Sequence, residues 1–117
     1  MKGDKFTHQF TMVPDLQIVK ELKDKLRDEY ENDILEVILF GSRCSGMPSE
    51  YSDYDILIIL NQIPDRNRKR RISEICYDIE LQNNILIDSH ILSEAELNSL
   101  RGKQPIFQNA IRKGIYV

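Results

Sequence analysis

Three short apolar runs recur along the chain, and each has the length and composition of a buried β-strand. They cover residues 34–40, 53–60 and 85–92, and β-branched residues occur in all of them. Apolar runs of about four to eight residues bounded by Gly, Ser, Asn or Pro are typical of strands. The first run is almost wholly apolar, so we expect it to be buried on both faces of a sheet.

Between these runs, apolar residues recur at intervals of three or four, which is the period of an amphipathic helix. A helix is predicted over residues 14–31, where Pro14 suits the first turn. A second helix is predicted over residues 65–82. The apolar stripes of the two helices are Val19, Leu22 and Leu26, and Ile72, Ile75, Cys76 and Ile79.

The last quarter of the chain carries further helix and strand signals. Residues 93–96, Ser-Glu-Ala-Glu, form a capping-box sequence that predicts a helix start. Pro105 opens the last predicted helix, Gly114 is expected to be its C-cap, and residues 115–117 are expected to add a final edge strand. The order α-β-β-α-β-α-α predicts an α/β (α+β) fold, a small sheet covered by helices.

Composition indicates one globular domain over residues 1–117, in which residues 1–12 form a mobile arm or a short edge element. The net charge of −3 argues against a general nucleic-acid binder. No apolar run approaches the roughly 20 residues of a membrane span, and the N-terminus lacks a signal-peptide core. Cys44 and Cys76 form no C-x-x-C pair. We therefore expect free thiols in a reducing cytoplasm, with neither a membrane nor a nucleic acid as the main partner.

The first candidate chemistry lies at Gly41, Ser42 and Arg43, directly after the first apolar run. A glycine at a strand end lets backbone N–H groups converge on an anion without a Cβ in the way. The Ser42 hydroxyl can donate a further hydrogen bond to a phosphate oxygen, and Arg43 can supply positive charge. An ordinary strand-to-loop turn is the alternative, since Gly-Ser alone is common.

Two carboxylates, Asp53 and Asp55, open the second apolar run. On a strand, side chains at i and i+2 share one face about 6.6 Å apart, so both can point at one place. Carboxylates held together repel each other unless a cation lies between them, which suggests a Mg²⁺ site. The alternative is that Asp53 lies in an exposed loop and Asp55 caps a neighbouring element.

Asp88 is the third candidate acid, inside the third apolar run. A buried unpaired charge is costly, so a purely structural role explains it poorly. If this strand neighbours the strand of Asp53 and Asp55, Asp88 is either a third metal-binding carboxylate or the group that takes a proton from an attacking hydroxyl. An edge-strand acid facing water is the alternative, and Asp78 and Glu80 on the preceding helix are other candidates for the third acid.

These residues together resemble a known family. Gly41-Ser42, followed by ten residues and then Asp53-x-Asp55, is similar to the signature of the minimal nucleotidyltransferases in the DNA polymerase β superfamily. The strand before the glycine, the acid at Asp88 and the C-terminal sequence Phe-x-x-x-Ile-x-x-Gly-Ile-x-Val at residues 107–117 extend the resemblance. It covers residues 15–117.

The resemblance implies a compact αβ palm with a mixed sheet that binds a nucleoside triphosphate and two Mg²⁺ ions. It implies that Asp53, Asp55 and Asp88 hold the metal, and that Asp88 also helps the acceptor hydroxyl. Gly41-Ser42 would hold the β- and γ-phosphates of ATP. The acceptor would then attack the α-phosphorus and pyrophosphate would leave.

Small members of this family often serve as the antitoxin of a two-gene module, beside a helical HEPN ribonuclease toxin. The resemblance therefore implies transfer of AMP to a tyrosine of a HEPN-type toxin encoded by an adjacent gene. Members that modify antibiotics or tRNA ends carry extra domains for their acceptors, whereas this chain has almost nothing beyond the palm. Two alternatives stay open: transfer to a small molecule or an RNA end, and an antitoxin that acts by binding alone.

Two weaker signals remain. Residues 66–71 form a dense basic run at the start of the helix predicted over residues 65–82, and this run is either a solvated face or a docking patch for an acidic partner or RNA. His90 has the strand parity of Asp88, so we interpret it as a hydrogen-bonded neighbour of the site. Cys44 lacks a base partner in the sequence and is interpreted as a space-filling residue.

Overall fold

A computed structural model describes residues 14–43 and 53–117, and its central feature is a four-stranded sheet. The strands are β1, Ile34–Phe40; β2, Tyr54–Leu60; β3, Ile87–Ser93; and β4, Ile115–Tyr116. Their order in the sheet is β3-β2-β1-β4. β1 runs antiparallel to both β2 and β4, whereas β2 runs parallel to β3. The mixed sheet that the resemblance implied is therefore confirmed.

Three α-helices flank the sheet in the described part of the chain. They are α1, Pro14–Tyr30; α2, Arg66–Asn83; and α3, Pro105–Lys113. Short 3-10 helices cover Glu31–Asp33, Gly41–Arg43 and Glu94–Asn98. No helix among these described residues is long and apolar enough to cross a membrane. The expectations for residues 1–12 and for Cys44 lie outside the described residues.

The sheet separates two apolar clusters. The larger cluster lies between the sheet and the layer formed by α1 and α2, and it includes Tyr54 and Ile56 of β2. The smaller cluster lies beneath α3 and includes Leu57 and Ile59 of the same strand. Alternate residues of β2 therefore enter opposite clusters, as the two-residue period of a strand requires. Asp55 has the parity of Leu57, so it lies on the α3 side of the sheet.

The helix predicted to start at residues 93–96 is a 3-10 helix of five residues. Its capping box is present: the Ser93 hydroxyl accepts from the Glu96 N–H at 3.3 Å, and the Glu96 carboxylate accepts from the Ser93 N–H at 3.0 Å. The helix stays short because the Ser99 hydroxyl donates to the Glu96 carbonyl at 2.7 Å and Gly102 folds back against that carbonyl. The predicted start is confirmed, and the prediction of an α-helix is wrong.

Gly114 ends α3, but not in the left-handed conformation that a glycine cap usually adopts. Its φ is −71° and its ψ is 166°, which any residue can adopt. Close neighbours explain the glycine instead, because a Cβ would lie 2.4 Å from the Ala110 carbonyl oxygen and 2.4 Å from a methyl of Ile38. The absence of a side chain lets the backbone leave α3 and enter β4 close against β1.

β3 is one lateral edge of the sheet, and side chains of the same chain cover part of its outer side. The Glu80 carboxylate accepts a hydrogen bond from the Ile87 N–H at 2.7 Å. The Arg101 guanidinium donates to the Ile91 carbonyl at 3.1 Å. The capping box already satisfies the N–H at the end of the strand. Three outward-facing backbone groups of this edge therefore have partners within the chain.

Candidate functional site

Two of the predicted acids, Asp55 and Asp88, meet at the end of the sheet where β1 finishes and β2 and β3 begin. β1 is antiparallel to β2 and β2 is parallel to β3, so these three strand ends lie together. Phe40 pairs with Asp55, and Asp55 pairs with Asp88 in the strand register. Partners on adjacent strands point to the same face. Asp55 and Asp88 therefore lie side by side on the α3 face, and the condition set for Asp88 by the sequence is met.

The electrostatics of Asp55 reflect this pairing. Its side chain is partly buried. Burial raises the pKa of Asp55, and the negative charges of Asp88 and Asp53 and a side-chain hydrogen bond with Asp88 raise it further, while His90 lowers it. A carboxyl group in such surroundings is stabilised either by a proton or by a cation. The site therefore favours a positive ligand.

Asp88 is more exposed than its apolar neighbours in the sequence indicate. β3 is an edge strand, and 53% of the Asp88 side chain is exposed. The expectation of a buried charge in this run is therefore wrong, because on one side of β3 no strand of the described residues lies next to it. The register with Asp55 is what links Asp88 to the site. Of the other two acids considered, Asp78 is exposed on α2, and Glu80 is bonded to the backbone of Ile87.

Gly41 fits this site in a way that a larger residue would not. Its φ is 77°, in the left-handed region that favours glycine. A Cβ here would lie 2.1 Å from Asp55 Oδ2, so the glycine lets the backbone lie directly against that carboxylate. The turn Gly41–Arg43 is one 3-10 turn.

The Arg43 guanidinium lies on the opposite face of the sheet from Asp55. Arg43 Nη1 is 3.3 Å from Asp15 Oδ1, and the guanidinium carbon lies 4.3 Å from the centre of the Tyr54 ring. The Tyr54 hydroxyl donates to Asp15 Oδ1 at 2.5 Å. Burial and this hydrogen bond raise the pKa of Tyr54 to about 12. This arrangement does not bring Arg43 to the carboxylates, and its role at a phosphate stays a prediction.

The cluster of Asp15, Arg43 and Tyr54 was not predicted from the sequence. Asp15 lies 28 residues before Arg43 and 39 residues before Tyr54. No local spacing rule links residues so far apart, because their contact depends on how α1 packs on the sheet. The cluster fixes the turn after β1 to the first turn of α1, and so helps to hold the backbone that faces Asp55.

Asp53 lies just before β2 and is exposed. Across residues 14–43 and 53–117, no three His, Cys, Asp or Glu side chains are grouped closely enough to hold a metal ion. The available donors nevertheless have the chemistry that Mg²⁺ prefers, since all are carboxylate oxygens. Asp55 and Asp88 are adjacent, and the charge of Asp53 acts on Asp55. These residues therefore fit a hard divalent cation.

The basic run at residues 66–71 is partly used within the fold. Arg68 pairs with Asp33 at 2.5 Å, and Arg71 pairs with Glu29 at 2.5 Å. Both pairs join α2 to the C-terminal end of α1 and the turn that follows it. A docking patch on the remainder of the run stays a prediction. The cations of this run that are exposed, with no ion pair among the described residues, are Arg66, Lys69 and Arg70.

Comparison with known proteins identifies relatives of this chain. The family model described as "Nucleotidyltransferase domain" matches residues 19–113. Three relatives from Methanocaldococcus jannaschii are each named "Putative protein adenylyltransferase". MJ1305 is 33% identical over 91 residues, which cover 76% of this chain and 61% of that protein. MJ0141 is 35% identical over 72 residues, which cover 62% of this chain and 73% of that protein. MJ0604 is 29% identical over 96 residues, which cover 82% of this chain and 90% of that protein.

Two crystal structures of mutants of the toxin-antitoxin MntA-HpeT have a similar fold. The first has a TM-score of 0.50 at 16% sequence identity, covering 79% of this chain and 66% of that chain. The second has a TM-score of 0.51 at 17% sequence identity, and the match covers 84% of this chain and 70% of that chain. At this identity the similarity concerns the fold. The family match, in contrast, spans most of the sequence and includes the Gly-Ser turn and all three predicted acids. The chain therefore belongs to the nucleotidyltransferase-domain family, and the enzyme class predicted from its motif is confirmed.

Proposed function

We propose that this chain transfers AMP from ATP to a tyrosine of a HEPN-type toxin and thereby acts as an antitoxin. The observation that carries the proposal is the register that sets Asp55 beside Asp88, with Gly41 against the Asp55 carboxylate. Relatives named as protein adenylyltransferases support a protein acceptor. The fold similarity to the toxin-antitoxin MntA-HpeT supports a toxin as that acceptor.

Magnesium is part of the proposal. Asp53, Asp55 and Asp88 would hold two ions, because carboxylates are the ligands that Mg²⁺ prefers. A cation here would also relieve the repulsion that raises the pKa of Asp55. When bound, such ions stabilise the charge on the attacking and leaving oxygens of the phosphoryl group.

The phosphates of ATP would lie at the turn after β1. Gly41 has no side chain to keep a phosphate from the backbone N–H groups, and the hydroxyl of the exposed Ser42 would donate to a β- or γ-phosphate oxygen. Arg43 would join only after its guanidinium leaves Asp15 and the Tyr54 ring. In its present position it supports the turn instead.

Asp88 would accept the proton of the tyrosine hydroxyl as that oxygen attacks the α-phosphorus. About half of its side chain is exposed, so the hydroxyl of a second protein can reach it. The new P–O bond forms in line with the bond that breaks, and pyrophosphate leaves. The product is a toxin with AMP on its tyrosine. We assign the reaction to the cytoplasm, which supplies ATP and keeps a thiol such as Cys76 reduced.

The test uses the purified chain, Mg²⁺ and ATP labelled at its α-phosphate, with and without the protein encoded by the adjacent gene. We expect label on that partner, and we expect Asp53→Asn and Asp55→Asn to abolish it. Asp78→Asn is the matched control, because it removes the same charge from an exposed position on α2. This control should leave transfer unchanged.

Three outcomes would contradict the proposal in different ways. Transfer to an RNA end or a small molecule, with none to the partner, would rule out the protein acceptor. Transfer that survives chelation of the divalent cation would rule out the role of Mg²⁺. Neutralisation of the toxin by Asp55→Asn as complete as that by the wild type would mean that binding alone is sufficient.

A further inference from the structure

His90 is held in a fixed position two residues after Asp88 on β3. The strand register pairs it with Leu57, two residues after Asp55, so its ring lies on the same face as both acids. The ring centre is 5.9 Å from that of Phe40 and 5.8 Å from that of Phe107. Phe40 is the last residue of β1, and Phe107 belongs to α3. Two buried aromatic rings on different elements therefore fix the imidazole.

One polar atom of this ring has no hydrogen-bond partner among the described residues. His90 Nε2 is hidden from solvent and makes no aligned hydrogen bond. Asp88 Oδ2 lies 3.4 Å away, which is close enough for an ion pair but not aligned for a hydrogen bond. A hidden ring nitrogen without a partner is costly. The Asp88 side chain is half exposed, whereas the imidazole packs between the rings of Phe40 and Phe107.

We propose that His90 is a positioning residue for Asp88. Its Nε2–H donates to one oxygen of the Asp88 carboxylate, and this bond turns the other oxygen toward the acceptor hydroxyl. The inference rests on the proposed function, in which Asp88 takes the proton of the acceptor. This role accounts for an imidazole, rather than a third phenyl ring, between Phe40 and Phe107. A flat ring packs between the two phenyl rings, and only the imidazole also offers Asp88 a hydrogen-bond donor.

Two substitutions separate this role from simple packing. The amide nitrogen of Gln reaches the position of the histidine Nε2, whereas that of Asn reaches the position of Nδ1. His90→Gln therefore keeps a donor next to Asp88, and His90→Asn moves the donor away. We expect His90→Gln to keep kcat within about threefold of the wild type. We expect His90→Asn to lower kcat by about 10- to 100-fold at unchanged KM for ATP, the range typical of lost supporting hydrogen bonds.

Packing alone would give a different result. Both substitutions remove the ring from between Phe40 and Phe107, so a purely structural role would make the two variants equally defective. Equal losses of kcat in His90→Gln and His90→Asn would overturn the proposal. Thermal unfolding of both proteins is the control for folding, since the comparison is between two variants that lose the same ring.

A spectroscopic measurement tests the contact without any turnover. The chain has two histidines, His8 and His90, so ¹⁵N-detected imidazole spectra contain two ring systems, and His90→Gln identifies which is which. We expect His90 to be the Nε2–H tautomer in the wild type, and we expect Asp88→Asn to shift its Nε2 signal and leave His8 unchanged. An Nδ1–H tautomer, or a His90 signal indifferent to Asp88→Asn, would overturn the proposal.

These readouts also distinguish failure of this inference from failure of the proposed function. If the wild-type chain transfers nothing to any acceptor, the proposed function fails. The tautomer and its response to Asp88→Asn then still decide whether His90 holds Asp88. If transfer occurs and Asp55→Asn abolishes it while His90→Asn is fully active, the proposed function stands and the role of His90 is overturned.

Discussion

Replacing Asp55 with Asn should make the metal-free protein more stable while it abolishes transfer. Asp55 is partly buried beside Asp88, and its pKa is raised by burial and by the charges of Asp88 and Asp53. At neutral pH the folded protein therefore carries a carboxylate that its surroundings disfavour. Asn has nearly the same shape without the charge. Under the proposed function, the same residue would cost stability and serve the reaction, a trade-off that is common at active sites.

The size of the gain follows from the strand register. Paired residues on adjacent strands are about 4.8 Å apart. Two unit charges about 5 Å apart repel by about 0.8 kcal/mol in bulk water and by about 3 kcal/mol at an effective dielectric constant near 20. Because Asp88 is half exposed, we expect the lower part of that range, about 1–2 kcal/mol. For a chain of this length this corresponds to a rise in Tm of roughly 4–8 °C.

The assay is thermal unfolding in a chelator, repeated with added Mg²⁺ and across pH. The stability that protonated Asp55 provides is complete below the unfolded pKa of 3.8 and is lost as the pH rises through the raised folded pKa. The gain from Asp55→Asn should therefore be small near pH 3.5 and complete at neutral pH. Added Mg²⁺ should raise the Tm of the wild type and have much less effect on the variant.

The control is again Asp78→Asn, which removes an exposed charge from α2 and should change the Tm by less than about 1 °C. A Tm of Asp55→Asn at or below that of the wild type in chelator at neutral pH would refute the reasoning. So would a gain of the same size at low pH, because the repulsion would then not depend on ionisation of the carboxyl groups.

Three further predictions concern positions outside the acid pair. Gly41→Ala should lower the rate of transfer at least tenfold, because the added Cβ would displace the Asp55 carboxylate. It should also destabilise the fold by about 1–2 kcal/mol, because the backbone φ of 77° disfavours a residue with a Cβ. Turnover measures the first effect and denaturant unfolding the second. Asp65→Ala should cost about 1 kcal/mol in urea unfolding, since it removes the N-cap bond to the Arg68 N–H. In a Cys44→Ser variant, Cys76, buried with a pKa raised to about 11, should react with iodoacetamide only after unfolding. Rapid labelling of Cys76 in that native protein would contradict this.

The elements of this fold could largely be predicted from periodicity. The apolar runs at residues 34–40 and 53–60 match β1 and β2 to within a residue, and the stripes of the two long helices enter the larger cluster as expected. The spacing of Asp53 and Asp55 also indicated a candidate site, although only Asp55 lies within β2 and Asp53 precedes it. These signals are local, so they depend on residues a few positions apart.

What periodicity could not predict depends on how distant segments pack. The parallel pairing of β2 with β3 decides that Asp88 meets Asp55, and β3 lies at the edge of the sheet, which leaves Asp88 exposed. Arg43 turns toward Asp15 because α1 packs on that face of the sheet. The family resemblance supplied the mixed sheet in advance, whereas the residues alone indicated only a small sheet covered by helices.

The covered outer side of β3 limits how another chain can join this molecule. A bare edge strand is a template to which a second chain can add a strand of its own, and the same template supports aggregation. Here an added strand would have to displace Glu80 from Ile87 and Arg101 from Ile91. We therefore expect a partner to dock through side chains rather than by extending the sheet. In the proposed function, such docking would bring the acceptor tyrosine to the half-exposed Asp88 without changing the sheet.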